Sequence, residues 1–111
     1  MEKLIARGLG ASSGSYTGRI RVMSNPDELE QLQAGEVLVI KSSNPAWTLG
    51  MLRAGAVLSE LGGVISHSAI VAREMGIPCI VGVKNATSIL VTGMTVRIDG
   101  EKGDIYMVRD G

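Results

Sequence analysis

Apolar positions along this chain fall into short runs separated by glycine, proline and small polar residues, and their spacing switches between that of strands and that of helices. Leu4 to Leu9 predicts a first short strand. The Gly/Ser-rich stretch Gly10–Gly18 then predicts a tight connecting loop. It could instead cradle phosphate, but it lacks the Gly-Lys-Ser/Thr ending of a nucleotide-binding loop. Arg19 to Met23 alternates, with Ile20 and Val22 on one face and Arg19 and Arg21 on the other, and predicts a second strand. Asn25-Pro26-Asp27-Glu28 predicts a helix start: a capping side chain, proline at the first helical position, acids in the first turn. Leu29 and Leu32 form its narrow apolar stripe, and Gly35 stops it.

Glu36–Lys41 and Ala56–Glu60 are near-continuous apolar runs, the pattern of strands covered on both faces. Between them Asn44-Pro45 starts another helix, with Trp47, Leu49, Met51 and Leu52 for packing and Gly55 as its end. The second run leads directly into Gly62-Gly63, and about two turns of good helix former follow. Gly76 and Pro78 then stand where a C′ glycine and a following proline end a helix. Pro78–Gly82 is strand-like, Asn85–Leu90 a helical turn, and Val91-Thr92-Gly93 a turn. Thr95–Asp99 and Ile105–Arg109 are strands joined through a hairpin loop with Gly100 and Gly103. The sum is α/β with a mixed sheet and about three helices, two of them lying between apolar strands.

Composition narrows the class. At 111 residues the chain is expected to form one domain, 1–111, with a single core. There is no Phe, one Trp and two Tyr, so that core must come from Val, Ile, Leu, Met and Ala. Eleven basic residues balance eleven acidic ones without a long run of either sign, which argues against a nucleic-acid surface or a polybasic membrane anchor. The single cysteine, Cys79, excludes an intramolecular disulfide and fits a reducing cytosol; its simplest role is a small core residue. No apolar run is long enough to cross a membrane as a helix, and Met1–Arg7 is too short and polar for a signal peptide, so a cytoplasmic protein is expected.

The chemistry gathers at the only histidine, His67. The reading sets it in the first turn of a helix, where backbone N–H groups lack intrahelical partners and the dipole is positive. Such a place binds phosphate and favours a neutral imidazole, which together suit a histidine that accepts a phosphoryl group. A plain capping role for His67 is the competing reading. One His and one Cys far apart make a metal site improbable. Ser66 and Ser68 cannot pair with His67 as nucleophile and base, because adjacent helical side chains diverge. Glu60, ending the preceding strand, and Glu74, seven residues along the helix, are candidate proton partners. Arg73 projects about 120° away from His67 at 100° per residue, so a surface salt bridge or partner contact suits it at least as well as a phosphoryl contact.

The run from Gly62 to Gly82, GGVISHSAIVAREMGIPCIVG, closely resembles the phosphohistidine segment of the phosphoenolpyruvate-utilising enzymes. That family includes pyruvate phosphate dikinase, phosphoenolpyruvate synthase, enzyme I of the sugar phosphotransferase system and rifampicin phosphotransferase. The glycine-rich loop through Gly18, the Glu36–Lys41 strand, Asn44-Pro45 with Trp47, and Asp99-Gly100 with Gly103 extend the likeness over nearly the whole chain. The resemblance implies a swivelling β/β/α domain in which His67 is the phospho-acceptor. It also implies that Gly62 and Gly63 allow close backbone approach, and that Ser66, with Ser68 and the helix N–H groups, holds the phosphoryl oxygens. Ile65 departs from the pattern: many members have Thr there.

By the same likeness a nucleotide-binding (ATP-grasp-like) or phosphocarrier-binding domain serves one side, and a barrel binding phosphoenolpyruvate or pyruvate the other. Mg²⁺ is expected at those partners, with no cofactor bound by this domain. The expected function is phosphoryl carriage between the two partners, without turnover by this chain alone. The alternative, of another class, is a docking or regulatory module that keeps the fold without turning over phosphate.

Overall fold

The structure, a computed structural model, describes residues 1–109. Eight strands form one mixed sheet in the order β1-β8-β7-β3-β4-β5-β6-β2. In chain order they are β1 Glu2–Arg7, β2 Leu9–Ser12, β3 Ser15–Val22, β4 Val37–Ile40, β5 Ala56–Ser59, β6 Cys79–Val81, β7 Thr95–Asp99 and β8 Asp104–Val108. The helices are α1 Thr48–Arg53, α2 His67–Met75 and α3 Ala86–Ile89, with 3-10 turns at Pro26–Gln31 and Pro45–Trp47.

β4, β5 and β6 are parallel, and each crosses over to the next through a helix, α1 and then α2. Every residue of these three strands is buried, as strands covered on both faces require. Their side chains alternate between two cores. Leu38, Ile40, Val57, Cys79 and Val81 pack with Trp47, Met51, Ala69 and Ala72 from the helices. Val37, Val39, Ala56, Leu58 and Ile80 pack against Val96, Ile98 and Ile105 of β7 and β8, with Ala86 and Leu90 of the α3 region. The arrangement is therefore three layers, antiparallel strands on parallel strands on helices. β3 joins the two halves: its residues 15–19 pair antiparallel with β7, and Ile20, Arg21 and Val22 pair parallel with β4.

The stretch expected as a connecting loop is mostly strand. Leu9–Ser12 pairs antiparallel with β6, and β3 begins at Ser15, so only Ser13 and Gly14 form the turn. The reason lies in what the glycines do. A Cβ on Gly10 would stand 2.3 Å from the carbonyl oxygen of Glu101, and one on Gly18 would stand 2.8 Å from the Tyr16 ring. These glycines admit close neighbours rather than bend the chain. The helix expected from Asn25 to Gly35 is a shorter 3-10 turn ending at Gln31, although Asn25 caps it as expected, accepting the Asp27 N–H at 2.9 Å.

The two ends of the described chain meet. β1 pairs antiparallel with β8, the Arg109 N–H donates to the Met1 carbonyl at 2.9 Å, and the Met1 ammonium donates back to the Arg109 carbonyl at 3.3 Å. No helix is long and apolar enough to cross a membrane among the described residues.

Candidate functional site at the start of the histidine helix

The site forms at the carboxyl ends of the parallel strands, where open α/β sheets leave a crevice between successive crossovers. The segments after β4 and β5 are stitched together there: Glu60 N–H donates to the Ile40 carbonyl at 2.9 Å and Leu61 N–H to the Lys41 carbonyl at 2.8 Å. The chain then turns through Gly62, whose φ of +103° is a conformation side chains rarely adopt. A Cβ there would also crowd Ser66 at 3.0 Å. Gly63 is different: nothing lies within 4 Å of its Cβ position.

α2 begins at His67, with Ser66 at N-cap in an extended conformation. The Ser66 carbonyl accepts the first helical bond, from Ile70 N–H at 3.0 Å, so the first-turn N–H groups before Ile70 have no intrahelical partner. The far end closes on Gly76, whose φ is +72° and whose N–H reaches the Ala72 and Arg73 carbonyls; Ile77 N–H also donates to the Ala72 carbonyl, at 3.1 Å. That is the glycine-terminated ending the sequence predicts.

His67 is half-buried, and its ring nitrogens face two hydroxyls, one from the β4–α1 connection and one from the first residue of α1. Ser43 Oγ lies 2.7 Å from Nδ1, and Thr48 Oγ1 lies 3.5 Å from Nε2. Neither was legible from the sequence as a partner of His67. The signal that could have found them is positional. Ser42-Ser43-Asn44-Pro45 follows one buried parallel strand, as Gly62-Gly63 follows the next, so the two loops open on one crevice. Asn44 fixes the first loop by accepting the Ala46 N–H at 2.9 Å, and Trp47 anchors it in the core.

The serines on either side of the histidine turn toward each other, Ser66 Oγ to Ser68 Oγ at 3.4 Å. Ser68 is buried and Ser66 half-buried. Glu60 is not brought to His67. Its carboxylate accepts the N–H and hydroxyl of Thr87 at 2.9 and 2.7 Å and so caps α3, whose own N-cap residue, Asn85, makes no side-chain cap bond. Those bonds, the backbone one first and the hydroxyl second, hold the Glu60 carboxyl below its usual range. Glu74 is exposed and makes no hydrogen bond to His67 among the described residues. Arg73 makes neither a salt bridge nor a ring contact among them. Its Nε donates to the Ala11 carbonyl at 2.8 Å and an Nη to the Val64 carbonyl, which ties the glycine turn to β2.

Cys79 lies fully buried on β6, and burial pushes its thiol up to about 12, with Arg73 pulling weakly the other way. Among the described residues no three His, Cys, Asp or Glu side chains gather as a metal site would require. A shallow apolar groove of about 520 Å³ runs between Pro26, Leu29, Leu49 and Leu52 and contains none of the site residues. The arrangement that can do chemistry is one imidazole with each nitrogen facing a hydroxyl, set beside free helix N–H groups and a glycine turn.

The stretch shared with known proteins takes in the whole of this site. The family described as "PEP-utilising enzyme, mobile domain" matches residues 32–103. Phosphoenolpyruvate synthase of Pyrococcus furiosus is 45% identical over 104 residues, a match covering 94% of this chain. The chain spans 13% of that relative's length. Among solved structures, Enzyme I matches 75% of this chain and 34% of its own at 30% identity, with a TM-score of 0.63. Aconitase X of Thermococcus kodakaraensis in its holo-form matches 98% of this chain and 99% of its own with a TM-score of 0.71, but at 19% identity, a likeness of fold alone.

Proposed function

Because the chain belongs to the family of PEP-utilising enzyme mobile domains, we propose that it is a phosphocarrier in which His67 accepts a phosphoryl group from one partner and delivers it to another. The observation that carries this reading is the setting of His67. It is the first residue of α2, half-exposed, beside a glycine turn and N–H groups without intrahelical partners. A phosphoryl group on the ring would meet those N–H groups and the positive end of the helix. Ser66 and Thr48 offer hydroxyls to its oxygens, and Gly63, with open space at its Cβ position, lets a donor approach closely. Gly62 supports the turn, Ser68 braces Ser66, and Arg73 holds the loop by its Val64 carbonyl.

This chain supplies a nucleophile and an anion cradle. Among the described residues His67 meets hydroxyls rather than a carboxylate, and no acid cluster gathers for a divalent cation. Stabilisation of phosphoryl transfer is therefore the work of the partners. These are a nucleotide-binding or phosphocarrier-binding domain on one side and a phosphoenolpyruvate- or pyruvate-binding barrel on the other, each in the same or a separate chain. Mg²⁺ belongs to those partners. The apolar rim beside His67, with Ile65 81% exposed and Leu61 and Val64 about half exposed, suits a face that is covered and uncovered in turn.

The test is intact mass at alkaline pH after incubation with Mg²⁺, a cell extract from the source, and either phosphoenolpyruvate or ATP. One added phosphate, acid-labile and absent from His67→Ala, is the expected result. No added phosphate with any donor would leave the docking module as the better reading, with Ile65→Thr as the first variant to try.

A further inference from the structure

The groove between the Pro26–Gln31 turn and α1 plays no part in the chemistry of His67. Gly50 shapes it. A Cβ on Gly50 would stand 2.3 Å from Leu29 Cδ2, so the missing side chain lets Leu29 sit against the helix and draws the two short rods together. Met51 is buried beneath, while Leu49 and Leu52 turn outward, 73% and 63% exposed. Three residues apart, these leucines make an apolar ridge on the open side of a helix whose other side already faces the core. Six residues of 3-10 turn at about 2.0 Å each and six of α-helix at about 1.5 Å each give walls on the order of 10 Å long, the length of two helical turns. Neither wall is a strand. An occupant's backbone finds no ladder there and must satisfy its own hydrogen bonds, as a helix does.

The charge along the groove is one-sided. With three residues per turn of 3-10 helix, Pro26 and Leu29 line up on one side of their turn, and Asp27 and Glu30 line up on the next. Both carboxylates, and Glu28 beside them, are exposed. None is in an ion pair among the described residues, whose pairs are Arg7–Asp104, Arg21–Glu36 and Arg97–Glu2. The one cation lining the groove, Arg53, donates to the Leu29 carbonyl. An apolar floor with an acidic bank repels anionic lipid and nucleic acid and attracts cations. We propose that this groove docks a basic amphipathic helix of a partner protein. Leucine-sized side chains at i and i+3 or i+4 of that helix fill the groove, and its Lys or Arg residues run along Asp27 and Glu30. The inference does not depend on His67 carrying phosphate. It does place the occupant close to the site, because α1 begins at Thr48, which faces the imidazole.

The experiment titrates the ¹⁵N-labelled chain with a synthetic helical peptide of Ala, Leu and Lys, its leucines on one face and its lysines beside them. Two control peptides replace every Lys by Glu or every Leu by Ser. Saturable shifts of the amide signals of 26–31 and 46–53 are expected with the first peptide and with neither control. Leu49→Ser should weaken binding about tenfold, the worth of burying most of one leucine. Asp27→Lys combined with Glu30→Lys should weaken it about fivefold at low salt, the scale of two exposed ion pairs, and the difference should fade as salt is raised. All three positions are on the surface, so unchanged melting curves would show that the fold is kept. Absence of shifts in these segments, or equal binding of the Glu peptide, would overturn the proposal. Shifts of the same signals with the chain's own concentration, before any peptide is added, would assign the groove to a second copy and overturn it as well.

Discussion

Arg73 Nε and the Ala11 carbonyl are 2.8 Å apart, and the same guanidinium reaches the Val64 carbonyl on the other side. One side chain of the histidine helix thus ties an edge strand to the glycine turn. Arg73→Ala should lower stability by about 1–2 kcal/mol, the scale of hydrogen bonds from a charged donor that stays partly solvated. Urea midpoints would read it, and amide exchange should speed up at 62–66 before it does elsewhere. Arg73→Lys should not restore the loop, since an ammonium cannot span two carbonyls as a planar fork does. Equal protection of the turn in wild type and Arg73→Ala would remove the argument.

The Glu60 carboxylate titrates below its usual 4.5 because Thr87 donates to it through backbone and hydroxyl. A lowered folded value means the stabilisation is fully present above pH 4.5 and is lost as pH falls through the folded value. The stability gap between wild type and Glu60→Gln should therefore close on acidification. Phosphorylation of His67 should be untouched by the substitution, because Glu60 faces α3. A gap that stays constant below pH 4, or a carrier slowed by Glu60→Gln, would contradict this.

Two glycines separate fold from site. Gly10→Ala drives a Cβ into the Glu101 carbonyl at 2.3 Å and should cost about 3 kcal/mol, because backbone rather than a flexible side chain must move. Gly63→Ala meets nothing within 4 Å and should change stability by no more than about 0.5 kcal/mol. If phosphoryl donors pass over Gly63, that added methyl should nevertheless slow labelling of His67. Thermal melts and labelling rates on the two variants would separate these effects.

Cys79 should be inert. With its thiol fully buried and pushed up to about 12, almost no thiolate exists at pH 8, and reagents cannot reach it. Aromatic disulfide reagents should label it only at the rate of unfolding, and at once in urea. Rapid labelling of the native protein would show that β6 opens far more easily than its packing implies.

What the sequence made legible was local. α2 carries both its start and its stop within a dozen residues, and the β7–β8 hairpin is announced by Asp99-Gly100 and Gly103. β4 and β5 show as unbroken apolar runs because both of their faces are covered. What it hid was non-local. Leu9-Gly10-Ala11-Ser12 has the composition of a loop and becomes a strand because β6, some seventy residues on, offers it an edge to pair with. Ser43 stands 24 residues before His67 and meets it only because two parallel strands end side by side. Glu60 shows the reverse: near in sequence, it is turned away by the direction in which β5 ends.

The pairing of Met1 with Arg109 has a mechanical consequence. Polypeptide continuing before Met1 or beyond Arg109 would start from neighbouring points beside β1 and β8, and two such connections would act as a single pivot rather than as two anchors. A unit hung that way can be turned by changing a few backbone torsions beside β1 and β8, with no strand of its own sheet put under load. On the carrier reading proposed above, the body holding the imidazole would then move as one piece, and the angle of that joint would choose which surface His67 faces.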